Sequence, residues 1–255
     1  MKMRVSEAFS RDEVRETVIP AYMGLVKQID DQIGRLLTFL EATGRMENTM
    51  IVFTSDHGDY LGDHWLGEKD LAHEESMRIP LIIYDPSPEA DATRGAVEDR
   101  LAESIDWLPT FLEVAGGEPQ SHRLEGRSLM PLIRGESVEW RDAAFCEVDY
   151  SGRQARNILG LRPDDCRAFV AVTEDWKYIL YEGFRPQLFD LKNDPGELVD
   201  LGEDPARAGI RAELHERIFH WLRTLKHRTT VSEGEIVARY GQRQEDEAGI
   251  YIGVW

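Results

Sequence analysis

The sequence predicts an α/β fold in its first half, followed by a small α+β subdomain. Two local patterns support the α/β assignment. Ala21–Thr43 carries apolar residues at three- and four-residue spacing, which is the period of a helix with one buried face. Ile51–Thr54 is a short run of apolar and β-branched residues, which we interpret as a buried strand. A helix that leads into a strand is typical of a sheet flanked by helices.

Turn-forming residues set the ends of the next predicted elements. Gly44 is predicted to end the first helix, because glycine adopts the left-handed conformation of a helix C-terminus at low cost. Pro80–Tyr84 is predicted to be a second buried strand, and the polar residues 87–103 are predicted to form a surface loop. Asp106–Ala115 is predicted to be a short helix that begins with an acidic cap.

The sequence pattern changes at about residue 139. Short strands alternate with turns, of which Asp194–Glu197 is one, and a single helical segment follows at Ala206–Lys226. This order is typical of a small antiparallel sheet with a covering helix. We therefore divide the chain into an α/β part (1–138), a subdomain (139–228) and an extended tail (229–255). The predicted strands of the subdomain are Ala143–Val148, Arg167–Thr173, Lys177–Tyr181 and Gln187–Asp190.

Composition narrows the classes of partner. The formal net charge of −18 disfavours nucleic acids and anionic membrane surfaces. No segment approaches the roughly 18 consecutive apolar residues of a membrane-spanning helix. The two cysteines lack a paired spacing, which favours a reducing compartment or no disulfide role. Since the first residues do not read as a signal peptide, we expect a cytoplasmic protein.

The strongest functional signal follows the strand at Ile51–Thr54. Asp56 and His57 stand at its carboxyl end, where ligands bind in open α/β sheets. A carboxylate beside an imidazole suits a divalent metal ion. The glycines that follow allow a sharp turn, which would return Lys69 to the same place as a contact for an anion. The alternative is an ordinary turn, in which Asp56 caps backbone N–H groups.

Three further side chains are candidates for a supporting role. Asp59 is either a hydrogen-bond partner of His57 or, as we favour, a turn residue. His64 and His73 lie on either side of Lys69 along the chain. Each histidine is either a proton donor to a leaving group or a structural residue, and the structural role is the more frequent one for a loop histidine.

Several motifs resemble the sulfatase branch of the alkaline phosphatase superfamily, and above all its phosphonate monoester hydrolases and related arylsulfatases. The resemblance covers about residues 20–225 and keeps its order along the chain. It implies the C-terminal part of an alkaline-phosphatase-like α/β core. The motifs that carry it are TSDHGDYLGDH (Thr54–His64), RIPLIIYDP (Arg78–Pro86), SIDWLPTFLEVAG (Ser104–Gly116) and QLFDLKNDPGELVDL (Gln187–Leu201).

The resemblance also assigns roles to residues. It implies that Asp56 and His57 bind a divalent metal ion, with manganese, calcium, magnesium and zinc all compatible, and that Lys69 contacts the anionic group of the substrate. The nucleophile of this family is a formylglycine made from a Cys/Ser-x-Pro-Ser-Arg motif. Neither Cys146 nor Cys166 is followed by Pro-Ser-Arg, so we expect no nucleophile in this chain.

Two classes of function follow. The first is a metal-dependent hydrolase of sulfate, phosphate or phosphonate esters, in which this chain lacks the nucleophile and the N-terminal metal ligands. Its substrate would be a small anionic ester, so the metal and Lys69 must reverse the negative field of the chain locally. The second is a non-catalytic fragment that serves assembly or oligomerisation. In either case we expect association through residues 1–85 and the C-terminal tail, because the strand before Asp56 lacks its upstream neighbours.

Overall fold

The computed structural model describes residues 8–69, 71–226 and 230–240. Within these ranges, no helix is both long enough and apolar enough to cross a membrane. The chain is a mixed α/β protein, as predicted, and the two sheets among the described residues are antiparallel. Its helices are α1 Asp12–Ala42, α2 Glu74–Met77, α3 Trp107–Val114, α4 Met130–Ile133, α5 Gln154–Leu159, α6 Ala208–Thr224 and α7 Glu233–Tyr240. Its strands are β1 Ile51–Thr54, β2 Leu81–Tyr84, β3 Ala144–Asp149, β4 Arg167–Val172, β5 Trp176–Tyr181 and β6 Gln187–Asp190.

Helix α1 is longer than the sequence indicates and none of its residues is buried. It begins at Asp12 and continues through Pro20, whereas the sequence pattern placed its start at Ala21. Gly44 ends it as predicted, with φ of 67° and a bond from its N–H to the carbonyl of Glu41. The apolar face of α1 is exposed at Tyr22, Met23, Leu25, Val26, Ile29, Leu36 and Phe39.

Strands β1 and β2 form a two-stranded antiparallel sheet, in which Ile51 pairs with Tyr84 and Thr54 with Leu81. The prediction that both strands are buried is wrong for this chain. Phe53 is 39% exposed and Ile82 is 63% exposed. The physical reason is that each strand has one hydrogen-bonded neighbour among the described residues, so the sheet is too narrow to be covered on both faces.

The predicted antiparallel subdomain sheet is confirmed, with strand order β3-β4-β5-β6. One face of this sheet carries the apolar cluster of Ala168, Val170, Ile179 and Phe189, against which Ala72 packs from the segment after Lys69. Helix α6 buries Leu214 and Ile218. The hydroxyl of Tyr178 lies 3.4 Å from Nδ1 of His215, which connects the sheet to α6.

Chain contacts divide the protein into two compact units. One comprises the described residues up to Leu101 together with Pro131–Phe219, and the other comprises Ala102–Met130 with the described residues from His220 onward. In the second unit, Asp106 is fully buried. Its carboxylate accepts the backbone N–H groups of Glu103 and Arg127. The sequence had suggested that Asp106 caps α3, but its side chain makes no cap hydrogen bond there.

Part of the predicted extended tail is helical. Residues Glu233–Tyr240 form α7, and a capping box stabilises its first turn. The backbone N–H of Glu235 donates to the hydroxyl of Ser232, while the carboxylate of Glu235 accepts the backbone N–H of Ser232. Residues 241–255, including the apolar end Ile250–Trp255, lie outside the described residues.

Candidate functional site

The candidate site lies in the loop between β1 and α2, and this loop approaches α2 closely. The backbone N–H of Gly58 donates to the carbonyl of Ser76 at 2.8 Å. A Cβ at position 58 would stand 1.9 Å from the carbonyl oxygen of Glu75, so only glycine fits there. The hydroxyl of Ser55 donates to the carbonyl of His57 at 2.7 Å and fixes the turn from the other side.

The hydrogen bonds of His57 define its tautomer. Its Nδ1 lies 2.8 Å from the carbonyl oxygen of Gly58. Since a carbonyl only accepts, Nδ1 carries the proton and Nε2 presents a lone pair. This Nε2 lies 2.5 Å from Nζ of Lys69 and 3.5 Å from Oδ2 of Asp56. The three side chains predicted from the sequence to meet at the end of β1 therefore do so.

Asp56 is ionised at neutral pH. Desolvation acts to raise the pKa of its carboxyl, but backbone N–H groups and the nearby His57 and Lys69 outweigh it, so the pKa lies below its ordinary value. The carboxylate is largely exposed and His57 is partly exposed. An anionic oxygen beside an imidazole lone pair is a donor set that fits a divalent metal ion.

Asp56 and His57 are two donors and not a complete metal site. Within residues 8–69, 71–226 and 230–240, no group of three or more His, Cys, Asp or Glu side chains could hold a metal ion. Catalytic sites for zinc-type ions usually take three protein ligands and keep one open position. Among the described residues, Asp56 and His57 are thus fewer donors than such a site takes.

A compact turn returns Lys69 to His57. The backbone N–H of Tyr60 donates to the carbonyl of Glu68 at 3.0 Å, and that of Gly62 donates to Leu66 at 2.8 Å. Four non-glycine residues of this turn have positive φ, a conformation that costs free energy and that the surrounding contacts must hold. They are Leu61, His64, Trp65 and Glu68.

His64 and His73 form an aromatic cluster with Tyr60. The two imidazoles stack with centroids 4.2 Å apart, and His73 also lies edge-on to Phe189. The Tyr60 hydroxyl accepts the backbone N–H of His73 at 3.3 Å and also lies 2.8 Å from Nδ1 of the same residue. Burial lowers the pKa of His73 to about 4 and raises the pKa of Tyr60, so both are neutral at pH 7.

These contacts fit the interpretation of His73 as a structural residue. Asp59 makes a turn contact, as its favoured interpretation as a turn residue predicts. The carboxylate of Asp59 accepts the backbone N–H of Leu61 at 2.9 Å. Nε2 of His64 lies 3.6 Å from a carboxylate oxygen of Glu75. A role of these three residues in catalysis stays a prediction.

Sequence reasoning missed three charged residues beneath the site. Lys177 is fully buried, and its Nζ lies 2.6 Å from a carboxylate oxygen of Glu74 and 2.9 Å from one of Glu197. Asp194–Glu197 does form the predicted turn, with the N–H of Glu197 donating to the carbonyl of Asp194 at 3.0 Å. The missed signal was a lysine, the second residue of β5, in a strand whose other side chains are aromatic or aliphatic.

Two family profiles match the sequence. The profile described as "Sulfatase" matches residues 3–117, and the profile described as "N-sulphoglucosamine sulphohydrolase, C-terminal" matches residues 62–224. The second alone spans more than half of the chain. Together they include β1, the site loop and the subdomain sheet.

Curated relatives point in the same direction. The multifunctional alkaline phosphatase superfamily protein PehA of Trinickia caryophylli is 39% identical over 222 residues, which are 84% of this chain and 43% of that protein. The arylsulfatase of Clostridium perfringens is 35% identical over 206 residues, which are 80% of this chain and 38% of that protein. The chain thus spans less than half the length of these relatives.

Solved structures share the fold. The phosphonate monoester hydrolase of Agrobacterium radiobacter aligns with a TM-score of 0.77 at 31% identity, over 84% of this chain and 42% of that one. The phosphonate monoester hydrolase SpPMH of Silicibacter pomeroyi aligns with a TM-score of 0.78 at 30% identity, over 88% of this chain and 45% of that one.

Proposed function

This chain belongs to the sulfatase family of the alkaline phosphatase superfamily, and on that premise we propose that it carries one part of the active site of a metal-dependent hydrolase of sulfate, phosphate or phosphonate esters. One observation carries the proposal. The ionised carboxylate of Asp56, the Nε2 lone pair of His57 and the ammonium of Lys69 meet at the end of β1.

In this proposal each of the three residues has a distinct task. Asp56 and His57 would hold a divalent metal ion, which when bound supplies Lewis-acid polarisation of the ester. The carbonyl of Gly58 accepts the N–H of Nδ1 of His57, so Nε2 would be the ligand atom. Lys69 would bind the anionic oxygens and balance the charge that builds on the transferred group.

The remaining metal ligands and the nucleophile would come from polypeptide outside these 255 residues. Neither cysteine is followed by Pro-Ser-Arg, and the described residues hold no three-ligand cluster. These observations also favour the second candidate, a non-catalytic domain for assembly. The exposed apolar face of α1 supports association through the N-terminal region in either case.

Metal content is the direct test. We expect Asp56→Ala and His57→Ala to abolish divalent-metal binding, measured by titration calorimetry and elemental analysis after dialysis. The matched controls are Asp99→Ala and His220→Ala, an exposed acid and an exposed imidazole outside the site loop. Hydrolysis of p-nitrophenyl sulfate and of a phenylphosphonate monoester is measured on the same samples.

The outcomes separate the two candidates. Metal that is weakly held by the chain alone, lost in both site variants and kept in both controls, supports the partial-site proposal. Turnover by the chain alone would show that it holds the nucleophile and all ligands, which would overturn that proposal. Metal binding that the site variants leave unchanged would favour the non-catalytic domain.

A further inference from the structure

We propose that Lys177 and Glu197 form a buried ionic clamp that positions the loop bearing His57 and Lys69 by holding α2 beneath it. The proposal rests on the site assignment made above, and it assigns a positioning role to Lys177 of β5 and to Glu197 in the turn after β6. They follow the site loop by more than 100 residues of sequence, yet both contact Glu74, the first residue of α2.

The clamp is a network of three charged side chains, in which one lysine contacts two carboxylates. Nζ of Lys177, on β5, lies 2.9 Å from Oε1 of Glu197 and 2.6 Å from Oε1 of Glu74. Lys177 has no solvent exposure and Glu197 is 2% exposed. Removing such charges from water carries a large desolvation cost, so they persist only where opposite charges lie close together. Loss of Lys177 would leave the buried carboxylate of Glu197 without a counter-charge, and loss of Glu197 would leave Lys177 with Glu74 as its carboxylate partner.

Glu197 also caps the N-terminus of α2, although it is remote from α2 in the sequence. Its Oε2 accepts the backbone N–H of Glu74, the first residue of α2, at 2.6 Å. A helix usually satisfies such an N–H with the side chain of its own N-cap residue. Here the N-cap residue is His73, which makes no side-chain cap bond because its ring is engaged with the hydroxyl of Tyr60.

Helix α2 in turn holds both ends of the site loop through a single residue. The carbonyl of Ser76 accepts the N–H of Gly58 at 2.8 Å, directly after His57. The hydroxyl of Ser76 donates to the carbonyl of Lys69 at 3.1 Å. A displacement of α2 would therefore move the imidazole and the ammonium together. The clamp fixes the start of α2, and Ser76 transmits that position to the site.

The sheet geometry explains why the lysine is on β5. Lys177 and Ile179 are two residues apart and so point to the same face of the sheet. Ile179 packs on that face in the cluster that includes Ala72, which follows Lys69 in the chain. The apolar cluster supplies contact with the site segment, and the ion pair beside it adds an electrostatic attraction between β5 and α2 that apolar contacts lack.

Amide hydrogen exchange followed by NMR tests the clamp on this chain itself, with no metal and no substrate. The variants are Lys177→Met and Glu197→Gln, and the control is Arg185→Met, which removes an exposed ion pair to Asp200 in the same unit. We expect loss of the clamp to raise exchange at the N–H of Gly58 at least about tenfold, as for loss of a charge-assisted hydrogen bond. Exchange within β4 should stay unchanged, and Arg185→Met should leave both unchanged.

Two results would overturn the proposal. Unchanged exchange at Gly58 in a folded variant would show that α2 keeps its place without the clamp. An equal rise at Gly58 and in β4 would show a general loss of stability. If Lys177→Met does not fold, Glu197→Gln decides, because it keeps an acceptor for Glu74 while removing the charge. Failure of metal binding in the earlier test leaves this readout untouched.

Discussion

At the scale of single residues, Gly58 determines how closely the site loop approaches α2. We expect Gly58→Ala to destabilise the folded state by about 1–3 kcal/mol, because its Cβ would overlap the carbonyl oxygen of Glu75. Gly209→Ala is the matched control, since Gly209 lies in α6 with no atom within 4 Å of an added Cβ. Urea denaturation measures both. A Gly58→Ala protein as stable as the control would contradict the close approach.

His73 makes the stability of the fold depend on pH. Its pKa falls from an ordinary value of 6.5 to about 4, chiefly because the neutral ring is buried. A group with a lowered folded-state pKa contributes stability above its unfolded pKa, and that contribution is lost as pH falls from 6.5 toward 4. The full shift corresponds to about 3 kcal/mol. We expect His73→Gln to remove this part of the pH dependence, measured by urea unfolding at pH 7, 5.5 and 4, with His220→Gln as the control.

The residues of the site show what local sequence can and cannot indicate. The apolar run before Asp56 and the glycines after His57 predicted that Lys69 returns to the end of β1, and its Nζ contacts Nε2 of His57 there. The roles of these residues in catalysis stay predictions. Glu197 was interpreted only as a turn residue. Its partner Lys177 comes close to it through the pairing of β5 with β6, and no local sequence pattern encodes that pairing.

At the scale of elements, burial depends on what surrounds a strand and not on its own residues alone. The types and bounds of β3–β6 follow the predicted ones closely, because each has a partner among its sequence neighbours. Strands β1 and β2 are equally apolar but largely uncovered. Helix α7 was missed because the Ser232–Glu235 capping box lies among charged residues and glycines, which we had assigned to an extended tail.

This difference between the two sheets can be measured. Ile179 is 1% exposed in the core of the four-stranded sheet, so Ile179→Ala should cost about 2–5 kcal/mol in free energy of unfolding. Ile82 is largely exposed on β2, so Ile82→Ala in the dilute chain should stay within about 0.5 kcal/mol of wild type. Chemical denaturation at low protein concentration provides both values. Equal losses would mean that β2 is covered.

At the scale of the whole molecule, apolar surface is exposed in a chain that spans less than half the length of its relatives. The chain spans 43% of PehA and 42% of the phosphonate monoester hydrolase of Agrobacterium radiobacter. The apolar face of α1 and the strands β1 and β2 belong to residues 12–84, the part of the chain that sequence reasoning had expected to lack neighbours. An exposed apolar surface of this kind favours association with a partner.

We therefore expect the isolated chain to self-associate through α1. Leu25 and Ile29 lie one helical turn apart and are both more than half exposed. Burying each would contribute about 1.5–3 kcal/mol, so Leu25→Glu combined with Ile29→Glu should weaken association at least about tenfold. Thr17→Glu combined with Thr38→Glu adds the same charge to exposed polar positions of α1 and should leave association unchanged. Sedimentation velocity over a concentration series gives the assembly state, and a wild-type chain that stays monomeric throughout would show that this face has no partner in a second copy.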